Sequence, residues 1–364
     1  MTFPPEITRA WVDVDLPALV ANARTIATIS GSRLLPMVKA NGYGLGAVEI
    51  ARALEKVDPW GFGVASIEEA ASLRAAGIRR PILVLTPLIP DWIDQCLDLD
   101  LRPSLGDSVA LERWVTQGSK PFHIEIDTGM SRAGVRWNDH ATLARFGTLL
   151  ESAVGWEGAF THFVAAESDT PATRRQWERF QEALQVLPRK PAMIHAANSA
   201  ASLHGKSFAG DLVRPGIFLY GGGAGTIAPR GVAALRGRVV AVRSLTAGDT
   251  VGYGATWRAD RPVTVATISL GYADGLPRGT PAVGAERHQR AVELNGKLVP
   301  VVGRVTMDMC MVSVDGGVAL GDVATAFGGL ISLDEQAHAA GTISYEVLTG
   351  LGPRVIRRYQ GVIR

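Results

Sequence analysis

The chain has 364 residues, of which 47% are hydrophobic and 20% charged, and its formal net charge is +2. It is long enough for one large domain and a smaller one, and a near-neutral charge without a basic block or acidic tail argues against a nucleic-acid partner. No apolar run reaches the roughly 18 residues that a membrane span needs, so the composition is typical of a globular α/β protein.

Cysteine usage and the first residues narrow the class further. The two cysteines, Cys96 and Cys310, lack the CxxC spacing of a zinc or redox motif, so we expect neither a disulfide framework nor a metal site. The opening stretch, MTFPPEITRA, lacks the basic and then apolar pattern of a secretory signal, which predicts a cytoplasmic protein.

Short apolar runs alternate with amphipathic stretches over the first two thirds of the chain. One predicted helix, SIEEAASLRAAG, opens with a capping box from Ser66 to Glu69 and stops at Gly77; another starts at Thr170 as the cap, with Pro171 in its first turn. The strand-like runs are residues 33–39, 60–65, 81–85, 101–105, 122–127, 156–163, 192–198 and 213–221.

Eight strand–helix units in this length predict a (β/α)8 TIM-type barrel. A doubly wound sheet is the alternative fold. That fold usually carries a GxGxxG phosphate turn after its first strand, and GYGLG has only part of that pattern.

The pattern changes near residue 222, where GGGAG and Pro229 interrupt the chain. The segments that follow are β-rich and carry turn signals such as AGD and NGK. We therefore expect a barrel over residues 1–235 and a mainly-β domain over 236–364, and the N-terminal strand could pack on the second domain.

Lys39 stands at the end of the first predicted strand, in LLPMVKANGYGLG. Barrel enzymes place their chemistry at the carboxyl ends of strands, and a partly desolvated lysine is a nucleophile toward carbonyl groups. Lys39 is thus a candidate to bind pyridoxal phosphate (PLP) covalently. On this run alone, a lysine that extends into solvent is the favoured interpretation.

Two later fragments make a phosphate site more plausible. AANSAASLHG places Asn198 and Ser199 where a strand ends and a helix begins, and DLVRPGIFLYG places Gly216 and Ile217 in the following unit. The loops after the seventh and eighth strands of such barrels frequently bind phosphate. Each fragment alone is equally consistent with an ordinary helix cap or a bulge.

The chain resembles the alanine racemases in a series of motifs that occur in the family's order. They are MVKANGYGLG, EIDTGMSRAG, THF, HAANSAA, DLVRPGIFLYG, VGYGATW, GYADG, GRVTMDM and TISYEV. The resemblance covers nearly the whole chain. It implies a fold-type III PLP enzyme that racemises L-alanine and D-alanine with two bases and supplies D-alanine for peptidoglycan. It also implies a head-to-tail homodimer with composite active sites.

The resemblance further implies a role for each matched residue. Lys39 would bind PLP and act as one base, and Tyr253 of the other subunit would be the opposing base, although Tyr253 alone could be a packing residue. Arg214 would face the pyridine nitrogen. The remaining cofactor positions match Tyr43, His162, Asn198, Ser199, Gly216, Ile217 and Tyr345. The substrate side matches Arg132, Met307 and Tyr272, with Asp274 beside Tyr272 and with Glu125 and Asp308 in support.

Two positions depart from the family pattern. Leu45 stands where the family often has a histidine. Glu125 stands where many relatives have a carbamylated lysine that orients the substrate-binding arginine. We hypothesise that Glu125 holds Arg132 directly, without bicarbonate, whereas the alternative is a strand glutamate with another partner.

Other functions on a related fold stay open from the sequence. A broad-specificity amino-acid racemase would differ only in its pocket residues. A fold-type III decarboxylase would have an acidic residue at the pyridine nitrogen and an HIGSQ-like run, and neither is found. A non-enzymatic PLP carrier would end after the barrel.

Overall fold

The computed structural model describes residues 7–117, 119–168, 170–278 and 290–361. The strands are β1 (Ala10–Asp15), β2 (Arg33–Leu34), β3 (Phe62–Val64), β4 (Ile82–Pro87), β5 (Arg102–Leu105), β6 (Phe122–Asp127), β7 (Val135–Arg136), β8 (Trp156–Phe160), β9 (Met193–His195), β10 (Leu212–Val213), β11 (Ala233–Leu245), β12 (Thr250–Val251), β13 (Trp257–Arg258), β14 (Val263–Ile268), β15 (Ala291–Leu294), β16 (Lys297–Val302), β17 (Cys310–Val314), β18 (Val323–Phe327) and β19 (Ile356–Gln360). The helices are α1 (Leu16–Ser30), α2 (Lys39–Tyr43), α3 (Ala47–Leu54), α4 (Ile67–Ala75), α5 (Ile93–Asp98), α6 (Ser108–Thr116), α7 (His140–Glu151), α8 (Thr170–Gln185), α9 (Ser199–Ser202), α10 (Leu333–Ala339) and α11 (Ser344–Thr349).

The first sheet is a parallel barrel. Its strands follow the order β2-β10-β9-β8-β6-β5-β4-β3, and the short β7 pairs with β6. Backbone hydrogen bonds from Trp60 N–H to Leu34 C=O (2.8 Å) and from Gly63 N–H to Pro36 C=O (2.9 Å) join its two ends. The predicted (β/α)8 barrel is therefore confirmed.

The barrel strands are buried on both faces, as parallel strands covered by helices must be. Every residue of β6 is buried, including the polar His123, Glu125 and Asp127. Polar groups at such positions need partners, because an unpaired buried polar group destabilises the fold. β6 carries three such groups, and one of them, Glu125, lines the cavity described below.

The second sheet is mainly antiparallel and follows the order β14-β17-β16-β15-β18-β11-β1-β19, with a further pairing of β14 with β11. The 13-residue β11 pairs with β1, β18 and β14, so it links the N-terminal strand to the second domain. β11 begins at Ala233, and the boundary predicted after residue 235 falls inside it. The predicted mainly-β second domain is confirmed.

Three local predictions differ from the structure. The run 33–39 is a strand only at Arg33–Leu34, and Lys39 begins α2 instead of ending the strand. The run 213–221 is not one long strand: pairing ends at Val213, and Ile217–Tyr220 forms a 3-10 turn, because Pro215 has no N–H to donate. The capping box is only half formed. Ser66 Oγ accepts the Glu69 N–H (3.4 Å), but the Glu69 carboxylate binds the N–H groups of Ala65 and Ala40 instead of Ser66.

Further predictions concern the start of α8, the two cysteines, membrane spans and metal sites. α8 has Thr170 as its first helical residue, and residue 169, which would be its cap, lies outside the described residues. Cys96 and Cys310 are both free and buried. Within the described ranges no helix is long and apolar enough to cross a membrane, and no group of three or more His, Cys, Asp or Glu side chains is arranged to hold a metal.

Candidate active site

A cavity of about 430 Å³ opens at the carboxyl ends of the barrel strands. Most of the site residues predicted from the sequence line it: Lys39, Tyr43, Glu125, Arg132, His162, Asn198, Ser199, Arg214, Gly216, Ile217 and Tyr345. Most of them follow the ends of different barrel strands, and Tyr345 comes from α11 of the second domain.

Sequence reasoning missed the apolar part of the cavity wall. The missed residues are Met37, Ala65, Leu85, Thr86, Pro87, Ala133 and Phe160. Several end a strand, since Leu85 to Pro87 close β4 and Phe160 closes β8. The rule that strand ends line a barrel's mouth, applied to every predicted strand, would have found them.

Lys39 is half-buried at the rim of this cavity. Burial lowers the pKa of its amine most, the charges of Arg132 and Arg214 lower it further, and Glu69 opposes the shift. A larger share of neutral amine at a given pH makes Lys39 a better nucleophile than a solvated lysine.

The backbone of residues 40–43, directly after Lys39, has the left-handed helical conformation. φ is +52° at Ala40, +53° at Asn41, +61° at Gly42 and +53° at Tyr43. Left-handed helical conformation costs an L-residue about 1–2 kcal/mol, so contacts elsewhere must hold this turn. The turn places Lys39 at its start and Tyr43 at its end on the wall of one cavity.

The far end of the turn packs tightly. The Tyr43 ring stacks on Tyr220 with centroids 4.4 Å apart, and its hydroxyl lies where a Cβ at Gly216 would be. Ser199 Oγ accepts the N–H groups of Gly216 (2.8 Å) and Phe218 (3.3 Å). Glycine is required at position 216 by this close approach and not by its φ.

Two phenols in this region stay protonated. Burial raises the pKa of Tyr43 far above its ordinary value and that of Tyr345 to about 12. Both hydroxyl groups can therefore donate a hydrogen bond to an anion at neutral pH. Asn198 contributes differently: its side chain accepts the Ala201 N–H (3.0 Å) and so caps α9.

Arg214 is buried without an acidic hydrogen-bonding partner in the described part of the chain. Its guanidinium donates to His195 Nδ1 (2.7 Å), Thr161 C=O (2.7 Å) and Ala196 C=O (3.1 Å). Burial lowers its pKa to about 10, which leaves it a cation at neutral pH. His162, whose Nδ1 lies 3.3 Å from Arg214 Nη2, is neutral, because burial and Arg214 lower its pKa to about 3.

A chain of hydrogen bonds runs from Arg214 through the barrel interior. His195 Nε2 lies 2.8 Å from His123 Nδ1, and His123 Nε2 lies 3.3 Å from Glu157 Oε2. Arginine can only donate, so His195 Nδ1 accepts and each later N–H must point toward Glu157. In this order each of the two histidines is neutral and carries its proton on Nε2.

Glu125 and Arg132 line the cavity but do not form the predicted direct contact. Among the ion pairs of the described residues there is none between them, and Glu125 Oε2 accepts from Ser104 Oγ (3.5 Å). Burial raises the pKa of Glu125, while Arg132 and Arg214 act in the opposite direction. Arg132 is placed by its loop, because Asp127 Oδ1 accepts the N–H groups of Gly129 and Ser131 (3.0 Å each).

Apart from Tyr345, the predicted residues of the second domain do not line this cavity within one chain. They are Tyr253, Tyr272, Met307 and Asp308. Tyr253 is 71% exposed and Met307 53% exposed. Asp308 pairs with Arg354 (2.7 Å).

The buried carboxylate of Asp274 holds the turn that carries Tyr272. Asp274 is buried and pairs with Arg9 (2.6 Å) and Arg354 (2.8 Å). Its carboxylate also accepts the Gly271 N–H (3.0 Å). Asp274 is therefore a structural anchor for Tyr272, which itself is 41% exposed.

Comparisons with known proteins agree with one another. Models described as "Alanine racemase, N-terminal domain" and "Alanine racemase, C-terminal domain" match residues 14–224 and 232–359. The alanine racemase of Deinococcus radiodurans is 38% identical over 359 residues, which is 96% of this chain and 99% of that protein.

Solved structures give the same result. The crystal structure of alanine racemase from Bartonella henselae with covalently bound pyridoxal phosphate has a TM-score of 0.87 and 32% identity, and the match covers 97% of this chain and 100% of that one. The crystal structure of alanine racemase from Bacillus anthracis with bound L-Ala-P has a TM-score of 0.88 and 32% identity, covering 99% and 96%.

Proposed function

The chain belongs to the alanine racemase family, and we propose that the cavity at the mouth of its barrel is where it performs this family's reaction. The protein interconverts L-alanine and D-alanine with PLP as its cofactor. The observation that carries the site assignment is that Lys39, Arg132 and Arg214 line one cavity. A nucleophilic amine and two guanidinium groups suit an aldehyde cofactor and a carboxylate substrate.

The cavity residues fit PLP. At one end, Gly216 and the Tyr43 hydroxyl leave no room for a Cβ, while the protonated phenols of Tyr43 and Tyr345 are donors suited to a phosphate. The residues that would hold the phosphate are Tyr43, Asn198, Ser199, Gly216, Ile217 and Tyr345. Lys39 would bind the aldehyde carbon, and His162 would lie beside the ring. When bound, PLP withdraws electrons and so makes the α-hydrogen of the amino acid acidic.

Arg214 would face the ring nitrogen of the cofactor. Its other donors are already bound to His195, Thr161 and Ala196, which fixes its orientation. Because a guanidinium donates and keeps its proton, it would leave that nitrogen unprotonated. Arg214 thereby limits electron withdrawal, and this favours return of the α-proton over side reactions.

Lys39 and Tyr253 would move the α-proton on opposite faces of the substrate. Racemisation needs one group that removes the proton and another that returns it from the other side. Lys39 has the lowered pKa that a base requires. Tyr253 is solvent-exposed and lies outside the cavity of its own chain.

We therefore propose a head-to-tail homodimer in which Tyr253 of each subunit completes the cavity of the other. In this division the barrel, residues 1–235, holds the cofactor, and residues 236–364 supply the second base. A mixture of inactive Lys39→Ala and Tyr253→Phe proteins tests it. Half of the dimers would contain one intact site, so about a quarter of wild-type activity should return. No recovery after subunit exchange would contradict the composite site.

The substrate carboxylate would bind Arg132. Met307, through its backbone N–H, and Tyr272 would approach from the partner subunit, with Asp308 in support. Glu125 places a fixed carboxylate in the cavity, so we propose that activity does not depend on added bicarbonate. A rise in activity when bicarbonate is added to carbonate-free enzyme would oppose this role for Glu125.

Proton exchange at the α-carbon of L-alanine in heavy water, followed together with D-alanine formation, tests the function directly. Matching rates of exchange and D-alanine formation support the two-base reaction. Bound PLP without exchange would contradict the assigned chemistry. A panel of amino acids under the same conditions measures substrate breadth. Supply of D-alanine for peptidoglycan from the cytoplasm is part of this proposal, and cell fractionation tests the location.

A further inference from the structure

Glu69 connects two loops at the mouth of the barrel. Its Oε1 accepts the N–H of Ala40 (2.6 Å), and its Oε2 accepts the N–H of Ala65 (2.8 Å). Ala40 directly follows Lys39, and Ala65 directly follows β3 and lines the cavity. One carboxylate thus ties together two neighbouring strand ends.

The Ala40 N–H belongs to the residue where the backbone enters its left-handed turn. Backbone hydrogen bonds hold part of the turn: Gly42 N–H binds Val38 C=O (2.8 Å), and Gly44 N–H binds Ala40 C=O (2.7 Å). The N–H of Ala40 itself is bound by the Glu69 carboxylate. Ala40 is exposed, so without the carboxylate its N–H would bind water in any conformation open to an alanine.

Helix capping does not account for this arrangement. Ser66 Oγ already accepts the Glu69 N–H at the start of α4. In an ordinary capping box the Glu69 carboxylate would return to the Ser66 N–H, but it extends to a different loop. The two hydrogen bonds that the Glu69 carboxylate accepts from Ala40 and Ala65 are therefore not part of the cap of α4.

Glu69 also acts on the Lys39 amine through space. The charged and titratable groups around that amine are Arg132, Arg214, His162, Glu125 and Glu69. Burial and the two arginines lower the Lys39 pKa, and the Glu69 charge raises it. Loss of that charge would move the pKa further down.

We propose that Glu69 is a positioning residue whose carboxylate holds the left-handed turn that brings Lys39 and Tyr43 into the cavity. This proposal rests on the assignment of Lys39 as the cofactor lysine. It concerns geometry before any reaction takes place, so it can be tested apart from turnover.

Glu69→Gln is the decisive variant. The amide is almost the same size but has one acceptor oxygen, so its NH2 group would face one of the two N–H donors. Glu68→Gln is the matched control, because Glu68 is the exposed neighbour on the same helix turn. Where Glu69→Gln does not fold, Glu69→Asp, whose shorter side chain cannot span both donors, carries the same measurements.

Hydrogen exchange at the Ala40 amide of the purified enzyme is the first measurement. We expect Glu69→Gln to exchange at least about tenfold faster, as expected for loss of a hydrogen bond to a charged group, and Glu68→Gln to match the wild type. The kcat for L-alanine should fall about tenfold with little change in KM, because substrate contacts stay and the base is misplaced.

Labelling of Lys39 by an acylating reagent, measured against pH in cofactor-free protein, reports the through-space effect of the Glu69 charge, whereas exchange at Ala40 and the split between kcat and KM report the position of the turn. The profile should move to lower pH in Glu69→Gln and stay in place in Glu68→Gln. Wild-type exchange at Ala40 together with a wild-type kcat in Glu69→Gln would overturn the proposal. If the wild type shows no racemisation, the proposed function fails, and exchange at Ala40 still decides the role of Glu69.

Discussion

Replacement of Gly216 by alanine tests how the end of the cavity that we propose for the phosphate is built. A Cβ at this position would lie 3.0 Å from Tyr43 Cζ and closer to the Tyr43 hydroxyl oxygen. Carbon atoms pack at about 3.5–4.0 Å, so the ring would have to move by about 0.5 Å or more. Tyr43 is 5% exposed and stacked on Tyr220, which leaves the ring only the cavity itself to move into.

The cost should appear in cofactor binding more than in folding. In the cofactor-free protein the Tyr43 ring can rotate toward the cavity, whereas bound PLP would occupy that space. Overpacking costs about 1–3 kcal/mol. If that strain falls on the bound state alone, the Kd for PLP rises about 5- to 150-fold.

A titration of cofactor-free Gly216→Ala protein with PLP, followed by absorbance, measures this Kd. Gly231→Ala is the matched control, because a Cβ there meets nothing within 4 Å. We expect the control to bind PLP as the wild type does and both variants to unfold within a few degrees of it. A wild-type Kd for Gly216→Ala would refute the argument that Tyr43 and Gly216 shape the phosphate pocket.

Three further predictions can be checked with standard assays. Tyr253→Phe should reduce kcat by at least about 100-fold, because it removes the proposed second base. The side chain is exposed within its own chain, so the thermal unfolding temperature should stay unchanged, and a kcat near wild type would exclude Tyr253 as a base. Burial lowers the pKa of three histidines: His123, His162 and His195. Between about pH 6.5 and pH 4 the unfolded chain therefore binds more protons there, and the free energy of unfolding should fall with falling pH by up to about 1.4 kcal/mol per pH unit for each histidine. Glu125 opposes this trend, because its pKa is raised in the folded protein. Urea unfolding at about pH 7 and pH 5, at one protein concentration, measures the net change in the free energy of unfolding. Equal free energies at the two pH values would contradict the prediction for the histidines. Ala40→Gly should stabilise the fold by about 0.5–1 kcal/mol, since relief of the positive φ exceeds the entropy that glycine adds to the unfolded chain; urea unfolding that shows destabilisation would contradict this.

The sequence predicted the barrel and the ends of β5 and β6, because these depend on local patterns. Lys39, Glu125 and Arg214 each stand at or next to the end of an apolar run, and parallel strands bring such ends to one edge. The run 213–221 was predicted as a strand because its apolar residues are continuous, yet Pro215 and the backbone at Gly216 end the pairing.

The remaining features depend on contacts that no local pattern records. A left-handed turn with alanine and tyrosine at positive φ has only Asn41 and Gly42 as sequence signals. The second acceptor bond of Glu69 crosses from one strand unit to another. The Glu125–Arg132 contact was inferred from the family pattern and from charge, and neither fixes the distance between the two side chains. Whether Tyr253 meets Lys39 depends on a second subunit, which one sequence does not place.

The hydrogen-bond chain from Arg214 to Glu157 disfavours protonation of its two histidines, His195 and His123. If His195 took up a second proton, its Nδ1–H would point at a guanidinium N–H, and two donors would face each other across 2.7 Å. The same conflict would arise at His123 Nδ1. The charge at Arg214 is therefore constant over the pH range in which free imidazole becomes a cation. Arg214 is already a cation, so acid leaves its charge unchanged, and protonation of His195 or His123 would require this chain of hydrogen bonds to break.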